Sequence, residues 1–355
     1  MKIIRYLLII SALILTACQT STSDKDSFNL SDFKAIKGSR ILANAEILNP
    51  QNIVTIDSGI LLADYHAPYL LQYYKNYNDT NPQCIAEKGS GPSEFINVRN
   101  LYYSPDTKKL FIYDSQLKRI TTYNVGNGCI VTDTACTRRI SIRHINGYET
   151  MPLNNDYITT GVFSGKPFAR INQDGSMFKD FGTFPVDSAE INDPIAFHLM
   201  YQSRIIANPE GTRMVSASPL SDWLAFYDMG GSTPKLVKEY YSYAPKLITK
   251  QSDANTTSVM LDDDCMSTYT HLTSTENYVY ALYDGRTQKE IQDNIFQSKY
   301  ILKFNWDGEL VDGFRVDEKI YCFSVVNDDS KMLGVVDGGE NMGEDNIVIK
   351  EYRFD

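Results

Sequence analysis

A unit of strand, polar turn, strand, loop, strand, hairpin and strand recurs six times along this 355-residue chain, and no other feature constrains the fold as much. The turn entering the second strand is clearest at Tyr103–Phe111 (YSPDTKKLF), which aligns with Ala207–Val215 (ANPEGTRMV). The hairpin is clearest at Arg170–Met177 (RINQDGSM), which aligns with Lys303–Leu310 (KFNWDGEL). Asp-Gly between alternating strands favours a tight hairpin because glycine takes φ > 0 without a Cβ clash. Second strands are expected to begin near Ile60, Leu110, Tyr157, Met214, Tyr278 and Met332, a period of about 50 residues. A sandwich does not repeat a four-strand unit six times, and a solenoid needs shorter, more uniform repeats. The spacing predicts an all-β, six-bladed β-propeller with four-stranded blades.

The ends fit the same scheme. After Ile320 only three strands are evident, so Arg40–Leu48 (RILANAEIL) is expected to supply the missing outer strand of the last blade and protect its edge. Residues 28–355 then form one domain.

The N-terminus reads as an address. Lys2 and Arg5 precede an apolar run, Tyr6–Leu15, too short to span a bilayer, which takes about 20 residues. Leu15-Thr16-Ala17-Cys18 matches a bacterial lipobox. Residues 1–17 are therefore expected to be a lipoprotein signal peptide, Cys18 the lipidated residue that holds the chain to the bilayer, and 18–27 a polar tether. The expected location is the cell envelope, at the outer membrane, facing the periplasm or the surface. The net charge of −10 argues against nucleic acid as partner.

Motifs for catalysis are sparse. His66, His144, His198 and His271 show neither H-E-x-x-H nor i,i+4 pairing, and Ser164 lacks the spacing of a nucleophile elbow. Five cysteines besides Cys18 form no C-x-x-C, and Cys129 and Cys136 are read as free thiols in preference to a hairpin disulfide. Asp262-Asp263-Asp264 is read as a solvated acidic face in preference to a Ca²⁺ site. No metal and no cofactor is expected. Three longer inserts, 180–199, 244–267 and 286–298, are expected to project from the flat faces and build a pocket around the channel.

Gly89, Gly91, Pro92, Glu94 and Phe95 lie in Lys88–Phe95 (KGSGPSEF) and form a turn between one blade's outer strand and the next blade's inner strand. Glu94 is expected to accept backbone N–H groups, Phe95 to wedge between blades, and Gly91 to take a positive-φ extended conformation before Pro92. This element, with Arg99 after it, resembles the Gly-x-Gly-Pro-x-Glu-Phe element of TolB-like six-bladed propeller lipoproteins from Bacteroidetes. Tyr201–Gly211 (YQSRIIANPEG) is similar to the Tyr-Gln-x…Pro-Asp-Gly element of the same family. Ser93 stands where that family usually has Gly, and Glu210 where it has Asp. The resemblance implies the propeller fold and the lipid anchor.

The leading expectation is a non-enzymatic binding or scaffolding module, a monomer, with a protein, peptide or glycan ligand at the propeller face. Candidate ligand-face residues are Arg99, His198, Arg204 and His271. The competing expectation is an envelope hydrolase or lyase acting on a glycan or peptide from that face.

Overall fold

The computed structural model describes residues 28–42, 45–134, 137–186, 194–245, 247–253, 256–291, 297–338 and 347–354. The leader, Cys18, the tether and Cys136 lie outside them. The first four blades follow one another in chain order. Pro50–Ile56, Gly59–Asp64, Tyr69–Tyr74 and Gln83–Glu87 make the first. Val98–Ser104, Lys109–Asp114 and Arg119–Gly126 make the inner three strands of the second, with Cys129–Val131 and Arg138–Ser141 sharing its outer edge. Thr150–Leu153 to Met177–Phe181 make the third and Arg204–Ala207 to Lys235–Tyr240 the fourth.

The last two blades are joined in one eight-stranded sheet. Leu310–Val325 runs from the outer edge of the fifth blade straight into the inner strand of the sixth. The six second strands begin at Gly59, Lys109, Asp156, Arg213, Tyr278 and Lys331, each within one residue of the start expected from the repeat. Both Asp-Gly hairpins take the expected conformation, with Gly175 at φ +91° and Gly308 at φ +85°. A Cβ on Gly308 would sit 2.9 Å from the Phe226 ring of the neighbouring blade, so the position excludes a side chain twice over.

The blades are held together by the faces of their middle strands. Every residue of Gly59–Asp64 is buried, because this strand has a sheet on both sides. Leu61, Leu71, Phe95, Leu101 and Ile112 fill the first interface, and Ile158, Phe168, Met214 and Trp223 fill the one between the third and fourth blades. Each such side chain contributes about 1.5–3 kcal/mol on burial. The first and last blades pack in the same way, with Ile60 and Leu62 against Leu333, Val335 and Ile349. Their inner strands also meet, where the Thr55 N–H donates to Ser324 Oγ at 3.1 Å.

Two buried carboxylates fix how the chain enters the inner strands. Asp64, fully buried, accepts the backbone N–H of Leu48 (2.7 Å), Asn49 (2.9 Å), His66 (3.0 Å) and Ala67 (3.2 Å). Asp114, one repeat later, does the same for Ile96 (2.6 Å), Asn97 (3.2 Å), Gln116 (2.9 Å) and Leu117 (2.9 Å). Each carboxylate thus ties the linker from the previous blade to the turn after its own strand. Charged acceptors suit this role because each bond to them is worth about 1.5–3 kcal/mol.

The N-terminal segment differs from expectation. Lys34–Ile36 pairs in parallel with Phe314–Val316, adding a strand outside the fifth blade. Ser39–Ile41 then pairs antiparallel with the last strand, Arg40 opposite Lys350. Among the described residues of the expected 40–48 stretch, only Arg40 and Ile41 pair. Leu42, at φ +49°, turns the chain away, and Leu48 is already held by Asp64 at the entry to the first blade. Phe28 adds ring contacts to Tyr240 and Phe304 at 5.5 and 5.8 Å. A chain starting at Asn49 loses these contacts and both strands. It is expected to unfold in one cooperative step at a clearly lower Tm than the chain that keeps residues 28–48; equal melting curves would show that the segment is dispensable.

Candidate functional site

The six inner strands converge on a central channel with a cavity of about 70 Å³, lined by residues of all six blades. Propeller geometry brings the first residues of each inner strand together, and here those residues are polar. Asn52, Arg99, Glu149, Arg204 and His271 lie at or within two residues of the starts of five different inner strands. From them the lining extends along the strands to Thr55, Ser274 and Asn327.

Glu149 is the centre of this cluster. Its side chain is 3% exposed; Oε1 lies 3.3 Å from Arg204 and 3.7 Å from Arg99 Nε, and Oε2 accepts the Ile205 N–H at 3.1 Å. Burial pushes its carboxyl above the ordinary value, against the pull of the two guanidinium groups and that N–H. Burial and the Arg204 charge, partly offset by Glu149, bring Arg99 down to about 10, so Arg99 stays charged at neutral pH. Arg99 also stacks on Tyr148, 4.1 Å from the ring centroid. On the far side of the channel His271, 4% exposed, places Nε2 3.3 Å from Asn52 Oδ1, which also accepts the Ile53 N–H. An acceptor opposite Nε2 fixes the tautomer with the proton on Nε2 and leaves Nδ1 as a bare lone pair. Burial, with the Arg204 charge second, holds this imidazole well below its usual range, hence neutral.

Of the four expected ligand-face residues, Arg99, Arg204 and His271 meet in the channel. His198 does not: it is half-buried on the helix Pro194–Tyr201, where burial and then the Lys118 charge lower its pKa. Among the described residues, none from 180–199, 244–267 or 286–298 lines the cavity either; the inner strands and the residues flanking them do. Glu149 and Asn52 carry no distinctive signal in the sequence, because a lone Glu or Asn at a strand start is ordinarily solvated. Aligning the first two or three positions of every inner strand would have revealed the polar ring.

The Gly-Pro-Glu-Phe turn lies where expected, between Gln83–Glu87 and Val98–Ser104. The Gly91 N–H donates to Glu94 Oε2 at 2.7 Å, and Phe95 is fully buried between the first two blades. Arg119 donates to the carbonyls of Gly91 (3.0 Å) and Glu94 and rests over the Phe95 ring. Gly91 departs from expectation, since its φ is not positive. Its need for glycine is steric: a Cβ would come within 2.9 Å of the Glu94 carboxylate. The aspartate triplet is a turn in which Asp262 accepts from the Asp264 N–H at 3.0 Å. Cys129 carries a free thiol, 3.1 Å from the Gly126 carbonyl, and its expected relation to Cys136 lies outside the described residues.

A family model for TolB-like 6-blade propeller-like proteins matches residues 30–328. Two solved structures share the fold. One is a protein described as exported, from Bacteroides fragilis, with 14% identity, a TM-score of 0.55, and coverage of 92% of this chain and 97% of its own. The other is a member of the DUF4221 family from Bacteroides vulgatus, with 10% identity, a TM-score of 0.53, and coverage of 90% and 96%. No curated protein matches the sequence.

Two outcomes follow from this geometry. Gly91→Val is expected to cost about 1 kcal/mol by displacing the Glu94 carboxylate from the Gly91 N–H, about as much as Glu94→Ala. Because Glu94→Ala removes the clash, the double variant should cost less than the two single changes together; additive denaturant midpoints would refute the steric account. For His271 the folded-state pKa is depressed, so its contribution to stability is present above the unfolded value of about 6.5 and lost as pH falls below it. Chemical denaturation between pH 6.5 and 5 is expected to show a slope up to about 1.4 kcal/mol per pH unit steeper in the native chain than in His271→Gln. Parallel slopes would mean that His271 takes up its proton in the fold.

Proposed function

The chain belongs to the TolB-like six-bladed propeller family, and we propose that it is a lipid-anchored envelope protein that binds a ligand in its channel without turning it over. The observation carrying this reading is the channel cluster itself. Arg99 Nε, Arg204 Nε and His271 Nδ1 are buried, lack hydrogen-bond partners and line one cavity. Leaving such atoms unsatisfied costs about 1–3 kcal/mol each, which a ligand recovers on binding. The competing hydrolase reading asks for two carboxylates about 5–9.5 Å apart. Among the described lining residues Glu149 is the one carboxylate, and two arginines hold it. That pairing suits binding better than general acid or base work.

The anchor rests on the lipobox ending at Cys18, and an exported relative of the same fold supports the envelope location. In this reading the chain sits at the outer membrane as a monomer, needs no cofactor, and touches the bilayer through the acylated Cys18. The test has two parts. Cys18→Ala should lose labelled acyl chains and leave the membrane fraction; retained label would remove the anchor. Native protein and Arg204→Gln are then exposed to envelope extract and the bound molecules read by mass spectrometry. A species of unchanged mass, kept by the native chain and lost by the variant, is expected. Product of altered mass, formed in proportion to protein, would make this an enzyme.

A further inference from the structure

We propose that the charged end of the channel is built for one carboxylate group that carries an O–H or N–H donor on the neighbouring carbon, as in a 2-hydroxy acid or an N-acylated amino acid. This rests on reading the channel as a ligand site and names the chemistry of its occupant.

Charge comes first. Arg99 and Arg204 bring two positive charges to the cavity, Glu149 one negative charge, and His271 none while its ring stays neutral. One positive charge is left over in a site largely shielded from water. Buried charge is strongly disfavoured unless paired, so one negative charge completes the site and two overshoot it. A carboxylate fits this balance; a phosphate monoester dianion does not.

The pattern of donors and acceptors narrows the class further. Two groups lack a hydrogen-bonded acceptor: Arg204 Nε–H, and Arg99 Nε–H, which lies 3.7 Å from Glu149 Oε1 in an ion pair but beyond hydrogen-bond reach of it. A carboxylate accepts from both, and guanidinium N–H groups make charge-assisted bonds to it. One group awaits a donor. With its proton on Nε2 facing Asn52 Oδ1, His271 offers only a lone pair at Nδ1. A bare carboxylate gives it nothing and repels it, whereas a hydroxyl or amide N–H beside the carboxylate satisfies it. The cavity of about 70 Å³ is several times the roughly 10–15 Å³ that a cavity needs to hold one water. That is room for a carboxylate and its neighbouring substituent, with the remainder of a ligand lying along the channel towards Thr55, Ser274 and Asn327.

The experiment is calorimetric titration of the detergent-solubilised full chain with lactate, N-acetylalanine, propanoate, lactamide and inorganic phosphate. Lactate or N-acetylalanine should bind, and the tighter of the two says whether a hydroxy acid or an acylated amino-acid terminus is the natural source. Propanoate, lacking the donor, should bind about tenfold more weakly, and lactamide, lacking the charge, not measurably. Arg204→Gln should lose affinity at least tenfold. Because that change also frees Glu149, a second variant points the other way: Glu149→Gln raises the positive charge and should bind the same acids several-fold more tightly, which damage to the fold does not produce. Equal binding of lactamide and lactate, tighter binding of phosphate, weaker binding by Glu149→Gln, or no heat with any probe because the cavity holds water alone, would each overturn the proposal. If no probe binds while Arg204-dependent retention from envelope extract persists, the carboxylate class is wrong and the channel remains a binding site.

Discussion

Glu149 sits with 3% of its side chain exposed between Arg99 and Arg204, and so links the inner strands of the second, third and fourth blades across the top of the channel. His271 and Asn52 make a second link, from the fifth blade to the first. Neither link is local: the pairs are separated by 50 to 219 residues in sequence, and only the ring brings them together. A carboxylate so buried is held in the charged form by its neighbours and pushed towards the neutral one by burial, and burial is the larger effect. The stability that Glu149 contributes is therefore fullest below its ordinary value of 4.5 and falls as pH rises. The site is retained at a cost to the fold, which is the pattern expected where a polar cluster serves recognition more than packing.

The placement of those side chains traces back to the second strands. Asp64 holds the N–H groups of Leu48 and Asn49 just ahead of Asn52, and Asp114 holds those of Ile96 and Asn97 just ahead of Arg99. A four-bonded carboxylate fixes both the height and the direction at which the chain reaches the channel. The Gly-Pro-Glu-Phe turn adds a second restraint before Arg99. Phe95 is locked between blades, Glu94 folds back on the Gly91 N–H, and Arg119 clamps the turn from the third strand of the same blade. Rigid support of this kind is what a small, charged cavity needs, because an error of about 1 Å in a guanidinium position undoes its hydrogen bonds.

The fold was legible because its signals are local. A polar turn before a β-rich run and an Asp-Gly hairpin can each be read within ten residues, and their recurrence sets the blade count. The Gly-Pro-Glu-Phe turn was legible for the same reason. Arg99, Arg204 and His271 could be named as candidates, but nothing in the sequence says that they share a cavity or that Glu149 stands between them. His198 was equally plausible by residue type and went elsewhere, onto a helix. Asp64 and Asp114 carry the cleanest repeated signal that was missed, an aspartate closing the second strand at a spacing of 50 residues. The register of the N-terminal segment was misjudged because its apolar run continues past the residues that pair. Leu42 and Ile47 are buried against the first and last blades and not as part of an outer strand.

The chain as a whole is acidic, at −10, while the channel carries an excess positive charge. These facts do not conflict. Exposed charges are screened beyond about 8 Å at physiological ionic strength, and several surface acids are already opposed, as Asp57 is by Lys108 at 2.7 Å. Inside the channel the effective dielectric is lower, so two unit charges 4 Å apart interact by about 4 kcal/mol where bulk water would leave about 1. An anion approaching the molecule therefore meets weak, screened repulsion outside and a strong, short-ranged attraction within. If the channel takes an anion as proposed, such a field favours a compact monoanion that reaches the arginines over one held at a distance from them.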